Sequence, residues 1–147
     1  MKKDQFFSEN LISWYKQNKR RLPWRKNVND ENYPYKVMVS EFMLQQTGVS
    51  TVIPYFENFI NRWPTIQSLA SAREEDILLA WQGLGYYRRA RNLLKSAKQI
   101  CNQYDSQVPK SLEKLQSLPG VGVYASGAIR SIAFDKKAVA VDGNVKR

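Results

Sequence analysis

Leu118-Pro119-Gly120-Val121-Gly122 lies between two stretches of helical periodicity and leaves few options for the chain around it. Two glycines flanking one apolar residue allow a tight turn with positive φ and a close approach of backbone to a neighbour, which residues carrying a Cβ resist. Tyr124-Ala125-Ser126-Gly127-Ala128-Ile129 follows and opens a helix running to about Phe134. Backbone N–H groups exposed at the start of that second helix suit a phosphate oxygen. A plain helix–helix turn is the competing reading. The context favours the phosphate site: Leu118-Pro119 before the turn, small residues after it, and an excess of positive charge in the same half of the chain.

The remaining periodicity is helical as well. A first helix is expected from about Asp4 to Lys19, with Phe7, Leu11, Trp14 and Tyr15 at helical spacing, followed by the turn Leu22-Pro23-Trp24-Arg25 and a polar loop to Pro34. Helices are predicted over Val37 to Gln46, broken at Gly48, and over Val49 to Asn61. Ser71-Ala72-Arg73-Glu74 reads as a capping box opening a helix that ends near Gly83. A long basic helix is predicted from Tyr86 to Tyr104, then a loop at Val108-Pro109 and a short helix from Ser111 to Ser117. Ala138–Val141 is an apolar run that periodicity leaves unassigned. The expected fold class is all-α, within 147 residues, enough for one domain with a core.

Other function classes recede. No apolar run approaches the roughly 20 residues of a membrane span, and Met1-Lys2-Lys3-Asp4 leads into no signal-peptide pattern. The single cysteine, Cys101, excludes an internal disulfide and fits a reducing compartment. The formal net charge of +10 suggests a polyanionic partner. It is unevenly spread: residues 1–87 hold 11 Lys/Arg against 9 Asp/Glu, whereas residues 88–147 hold 12 against 4.

Three further segments carry candidate chemistry. In Ser40-Glu41-Phe42-Met43-Leu44-Gln45-Gln46-Thr47, Glu41 has Val37, Met38, Phe42, Met43 and Leu44 for company. A carboxyl among apolar groups has its charged form disfavoured, which suits a general acid; the bland alternative is a Glu on a solvated face. Gln45 and Gln46 offer amides that can meet base edges or fill a gap in a duplex. Asp142, in Val141-Asp142-Gly143-Asn144-Val145-Lys146-Arg147, is either a helix N-cap or a carboxylate facing a cationic transition state. Glycoside cleavage characteristically uses two carboxylates, and only the fold could bring Asp142 to Glu41. Trp81-Gln82-Gly83-Leu84-Gly85-Tyr86-Tyr87-Arg88-Arg89-Ala90-Arg91 joins glycines, tyrosines able to stack on or wedge between bases, and arginines able to meet phosphates. Its competing reading is a turn with core tyrosines and a solvated basic face.

Taken in order, Leu22-Pro-Trp-Arg25, Ser40–Thr47, Gly83-Leu-Gly-Tyr-Tyr87, Leu118–Gly122 and Val141–Arg147 resemble the motifs of MutY-type adenine DNA glycosylases, from about Phe6 to the last residue. That family belongs to the helix–hairpin–helix glycosylases, which include endonuclease III. The resemblance implies a monofunctional base-excision repair enzyme that hydrolyses the N-glycosidic bond of adenine mispaired with 8-oxoguanine or guanine. It implies that Glu41 protonates adenine at N7, that Asp142 stabilises the oxocarbenium-like sugar, and that Tyr124 and Asn144 support it. Gln46 and Tyr86 would enter the duplex, Trp24, Arg25 and Leu44 would line the adenine pocket, and Gly120, Val121 and Gly122 would offer backbone contacts to phosphate. Endonuclease III carries a lysine nucleophile two residues after the second glycine; here that position is Tyr124.

The resemblance also implies a departure. The family continues into a segment whose four cysteines ligate a [4Fe–4S] cluster, and this chain stops at Arg147. Cys101 is not one of those ligands, and no metal ligands are expected here. The expected organisation is an N-terminal helix of the second lobe over 1–21, a six-helix-type domain over 22–135 with the hairpin motif at about 111–134, and the start of a truncated second lobe over 136–147, the iron–sulfur lobe missing. A truncated product with weak or no activity of its own is therefore expected. The partner is double-stranded DNA and not a membrane, with a monomer acting in the bacterial cytoplasm on the nucleoid. Two alternatives stand: a non-catalytic helix–hairpin–helix DNA-binding remnant, and a related thymine or uracil mismatch glycosylase.

Overall fold

A computed structural model describes residues 22–134. Over these residues every regular element is helical. After a short 3-10 turn at Pro23–Arg25, the helices are α1 (Tyr33–Leu44), α2 (Val49–Arg62), α3 (Ile66–Ala70), α4 (Glu74–Trp81), α5 (Arg88–Gln103), α6 (Leu112–Gln116) and α7 (Val123–Phe134). The helices expected at 4–19 and the segment from 135 onward lie outside the described residues.

The central helix is α1, which packs against α2, α5, α7 and the 3-10 turn. It is apolar almost all round, with Tyr35, Val37, Met38, Val39, Phe42 and Met43 buried, as expected of a helix enclosed by others rather than laid on a surface. Around it, α2 contributes Val52, Phe56 and Phe59, α4 contributes Ile77 and Trp81, and α5 contributes Ala90, Leu93, Leu94, Ala97 and Ile100. Aromatic edges lock the layers: Trp24 meets Phe56 at 5.3 Å and Phe59 meets Trp81 at 6.0 Å, both near perpendicular.

Helix starts differ from the sequence expectation in two instructive ways. The capping box lies at Thr65 and Ser68, each side chain bonding the other's backbone N–H, and opens α3. The Ser71–Glu74 pattern is corrected: Ser71 closes α3, and α4 starts after Arg73 with no side-chain cap. Glu74, Glu75 and Asp76 in the first turn of α4 face the positive end of its dipole instead. The central helix begins at Tyr33 rather than Val37, because Pro34 fits the first helical turn, where no N–H is required.

Candidate functional site

One strip of α1 is left uncovered by its neighbours. There Glu41 and Leu44, three residues apart, open onto a cleft of about 560 Å³ that is completed by Gln45, Gln46, Thr47, Gly48, Tyr124 and Ala125. The site therefore lies between the C-terminal end of the central helix and the first turn of α7. Glu41 is half-buried. Withdrawal from water pushes its carboxyl up to about 7, against the opposing pull of the Arg25 charge. A carboxyl poised there is protonated in good part at neutral pH and able to give its proton to a base in the cleft.

The loop after α1 is fixed by a residue far away in sequence. Arg89, buried at the start of α5, donates to the Met43 carbonyl at 2.6 Å and to the Gln45 carbonyl and the Thr47 hydroxyl. The same guanidinium donates to the Gly85 carbonyl at 3.0 Å and, at 3.4 Å, to that of Tyr86. The last carbonyls of α1 lack helical partners, so a cation at this end satisfies both their hydrogen bonding and the helix dipole. One side chain thus ties together two loops, Gln45–Thr47 and Leu84–Tyr86. Each loop holds a residue in the left-handed region, Gln46 at φ 60° and Tyr86 at φ 49°. Bulky residues rarely adopt that conformation unless their surroundings enforce it. Gln46 is exposed, and Tyr86 is 64% exposed.

The glycine turn joins this group through Gln45, whose side-chain amide donates to the Gly120 carbonyl at 3.4 Å. The turn closes with the Val121 N–H on the Leu118 carbonyl at 3.1 Å, and the Ser96 hydroxyl of α5 donates to the Pro119 carbonyl at 2.8 Å. Gly120 is required by the fold: its φ is +80°, and a Cβ there would come within 2.9 Å of Asn92 Cβ and 3.0 Å of Phe42 Cε1. Gly122 differs. It is exposed, lies outside the left-handed region, and a Cβ on it would meet nothing within 4 Å. No neighbour among the described residues needs its bareness, and it stands where α7 begins.

Of the residues singled out in the sequence, Glu41, Leu44, Gln46 and Tyr124 line one cleft. Gly120, Val121 and Gly122 form the adjoining turn, and Tyr86 stands on the other clamped loop. Trp24 is in the core against Phe56 and does not line the cleft, while Arg25 is exposed and reaches Glu41 through its charge. Asp142 and Asn144 lie outside the described residues. Sequence reasoning missed Arg89 as a structural clamp, having grouped it with Arg88 and Arg91 as a phosphate contact. It also missed Gln45 as the link to the hairpin. No local pattern marks either, because the partners of Arg89 around the end of α1 lie 42–47 residues away and that of Gln45 lies 75 residues away.

The residues of this chain do not fit an iron–sulfur cluster. Such a cluster takes about four thiolates, whereas the sequence holds one cysteine. Cys101 is half-buried on α5 with its thiol toward the Ile66 carbonyl. Among the described residues no three His, Cys, Asp or Glu side chains converge as metal ligands, and no helix is long and apolar enough to cross a membrane.

Residues 39–147 match the model of the HhH-GPD superfamily base excision DNA repair proteins. The chain is 51% identical over 146 residues to the adenine DNA glycosylase of Rattus norvegicus, covering 96% of this chain and 28% of that protein. It is 46% identical over 142 residues to the adenine DNA glycosylase of Buchnera aphidicola subsp. Schizaphis graminum, covering 96% of this chain and 40% of that protein. The chain thus spans less than half the length of these curated relatives. Among solved structures, a thermostable thymine-DNA glycosylase superposes with a TM-score of 0.83 at 27% identity, covering 95% of this chain and 63% of that one.

Proposed function

The chain belongs to the HhH-GPD superfamily of base excision DNA repair proteins, and on that footing we propose that it serves the excision of adenine mispaired with 8-oxoguanine or guanine in duplex DNA. The observation that carries the reading is Glu41: a carboxyl pushed up to about 7 at the wall of a cleft large enough for a base. Adenine leaves poorly as an anion. Protonation at N7 by Glu41 makes it a neutral leaving group as the glycosidic bond breaks. Because that bond cannot be reached in the stack, the nucleotide is extruded into the cleft. Gln46 and Tyr86, exposed on their clamped loops, fill the space it leaves. The bare backbone at Gly122 and the first N–H groups of α7 hold a phosphate, and such contacts position the protein without reading sequence.

The described cleft is lined by no lysine, and Tyr124 stands where endonuclease III has its nucleophile. Both support hydrolysis without strand cleavage. Asp142, by resemblance, faces the developing sugar cation with Tyr124 and Asn144 in support. The chain acts as a monomer in the cytoplasm. A thymine-directed reading draws on the structural likeness to a thymine-DNA glycosylase, but the higher identity is to adenine enzymes.

The test is single-turnover incubation of the chain extended to the length of its adenine glycosylase relatives, with duplexes carrying adenine opposite 8-oxoguanine, or thymine opposite guanine, followed by alkali to reveal abasic sites. Adenine release that Glu41→Gln abolishes is the expected result; loss of a general acid alone slows such a step by about 10²–10⁴-fold. Release of thymine in preference to adenine, or undiminished release by Glu41→Gln, overturns the reading.

A further inference from the structure

From Arg88 to Gln103, α5 carries no acidic residue, and its side chains sort into strips at 3.6 residues per turn. Ala90, Leu93, Leu94, Ala97 and Ile100 face the core. Asn92, Ser96 and Gln99 form the strip that meets the glycine hairpin: Ser96 bonds the Pro119 carbonyl, Gln99 bonds the Ser117 hydroxyl at 3.2 Å, and Asn92 abuts Gly120. One residue back in register, Arg88, Arg91, Lys95 and Lys98 form the adjoining strip, and all four are exposed. The basic strip and the hairpin are therefore edges of one continuous surface, and the strip starts two residues after Tyr86.

The strip is also uncompensated. The ion pairs among the described residues lie elsewhere, at Lys36–Asp30 and where Arg62 and Arg73 meet Asp76. Like charges three and four residues apart on a helix repel, and no described acid of this chain pairs with them. A merely solvated face commonly mixes signs. From Arg88 to Lys98 the strip rises ten residue steps, about 15 Å along the helix axis, against one phosphate per about 3.4 Å of axis on each DNA strand. The match in length and sign is to a run of phosphates.

We propose that Arg88, Arg91, Lys95 and Lys98 form a second phosphate-contacting surface, which extends the hairpin's hold along the backbone of the same duplex. The inference rests on the DNA-repair reading above and adds to it a surface that the hairpin and the cleft do not require.

The experiment is a salt titration of duplex binding by the 147-residue chain, using fluorescence anisotropy of short labelled duplexes with and without a lesion. Each phosphate neutralised contributes about 0.9 to the slope of log K against log salt. Lys95→Gln/Lys98→Gln is expected to lower that slope by about 1.8 and to weaken binding equally for lesion and undamaged duplexes. Arg91→Lys, which keeps the charge, is expected to leave the slope in place. Arg62→Gln/Arg73→Gln removes the same net charge from residues paired with Asp76 and serves as the control; its slope should stay within about half a unit of wild type. A strip variant with the wild-type slope overturns the proposal, and if that variant instead loses binding to an acidic protein, the strip belongs to such a partner. An equal fall in the control overturns it too, by reducing the effect to net charge. A wild-type chain that binds no duplex overturns the DNA-repair reading and this surface with it. Far-ultraviolet circular dichroism of each variant separates lost contacts from lost fold.

Discussion

The Arg89 guanidinium donates to the Met43 carbonyl at 2.6 Å across 46 residues of chain. Through that contact and its companions to Gln45, Thr47 and Gly85, the end of the central helix and the loop before α5 become one unit. Hydrogen bonds to a charged group are each worth about 1.5–3 kcal/mol, and a buried carbonyl left unpaired adds its own desolvation penalty. Arg89→Met is therefore expected to lower stability by about 2–4 kcal/mol. Arg89→Lys should recover only part of this, since a point charge cannot span both loops as a planar fork does. Urea unfolding measures the loss, and amide hydrogen exchange should show faster opening at residues 45–47 and 84–86 together. A stability change below about 0.5 kcal/mol would remove the clamp from the account.

The two hairpin glycines should part company when each gains a methyl group. Gly120→Ala forces a Cβ into contact with Asn92 and Phe42 at a φ of +80°, and is expected to cost about 2 kcal/mol or more. Gly122→Ala meets no neighbour and should leave stability within about 1 kcal/mol of wild type, with a gain as the favoured sign. On the proposed reading its effect is expected in duplex binding, which the added methyl should weaken by keeping a phosphate from the backbone. Paired unfolding curves and duplex-binding isotherms distinguish the two, and equal loss of stability at both positions would contradict this division.

The contrast shows what the chain discloses before folding. Helices such as α5 are legible because Ala90, Leu93, Leu94, Ala97 and Ile100 recur at a period that only a helix satisfies. The hairpin is legible because Gly120 answers a local need, a turn at a φ of +80°. Glu41's elevated proton affinity is foreshadowed by its apolar neighbours in sequence. Arg89 is not legible, since between Arg88 and Arg91 it looks like a third surface cation and its partners at the end of α1 are assembled only by tertiary packing. Trp24 illustrates the reverse: its place in the motif suggests the base pocket, yet its ring packs against Phe56. The capping box at Thr65 was hidden because Ser68, not Glu or Gln, closes it.

Gln46 is exposed yet held at φ 60°. For an L-residue with a Cβ that conformation costs roughly 1–2 kcal/mol, which glycine avoids. Gln46→Gly should therefore leave the chain as stable or up to about 1 kcal/mol more so, while weakening its hold on a duplex with a flipped nucleotide by removal of the amide. Stability and function then move in opposite directions, as expected where strain is kept for a task. A variant less stable than wild type by more than about 1 kcal/mol would show that the Gln46 side chain supports the fold instead.

Glu41 sets the same conflict on a pH axis. Its ordinary value is 4.5, the folded value about 7, and burial is the leading cause. A carboxyl whose folded value is raised favours the fold while it is neutral. Its contribution is complete below pH 4.5 and is lost as pH rises through about 7. At about 1.36 kcal/mol per pKa unit, the difference between the two values amounts to at most about 3–4 kcal/mol, and partial exposure lowers what is observed. Glu41→Gln, neutral at every pH, should thus unfold at higher urea concentration than wild type by about 1–3 kcal/mol near pH 8. The gap should close toward about pH 4.5, where wild-type Glu41 is protonated as well. The chemical counterpart is a rate of adenine release that is level below about pH 7 and falls about tenfold per pH unit above it, as the acid form of Glu41 is depleted. Urea midpoints across pH for both proteins, set beside single-turnover rates for wild type, test both halves on one titration. A variant no more stable than wild type at the alkaline end would mean that the cleft solvates the carboxylate after all. A release rate flat from about pH 6 to 9 would mean that some other group delivers the proton.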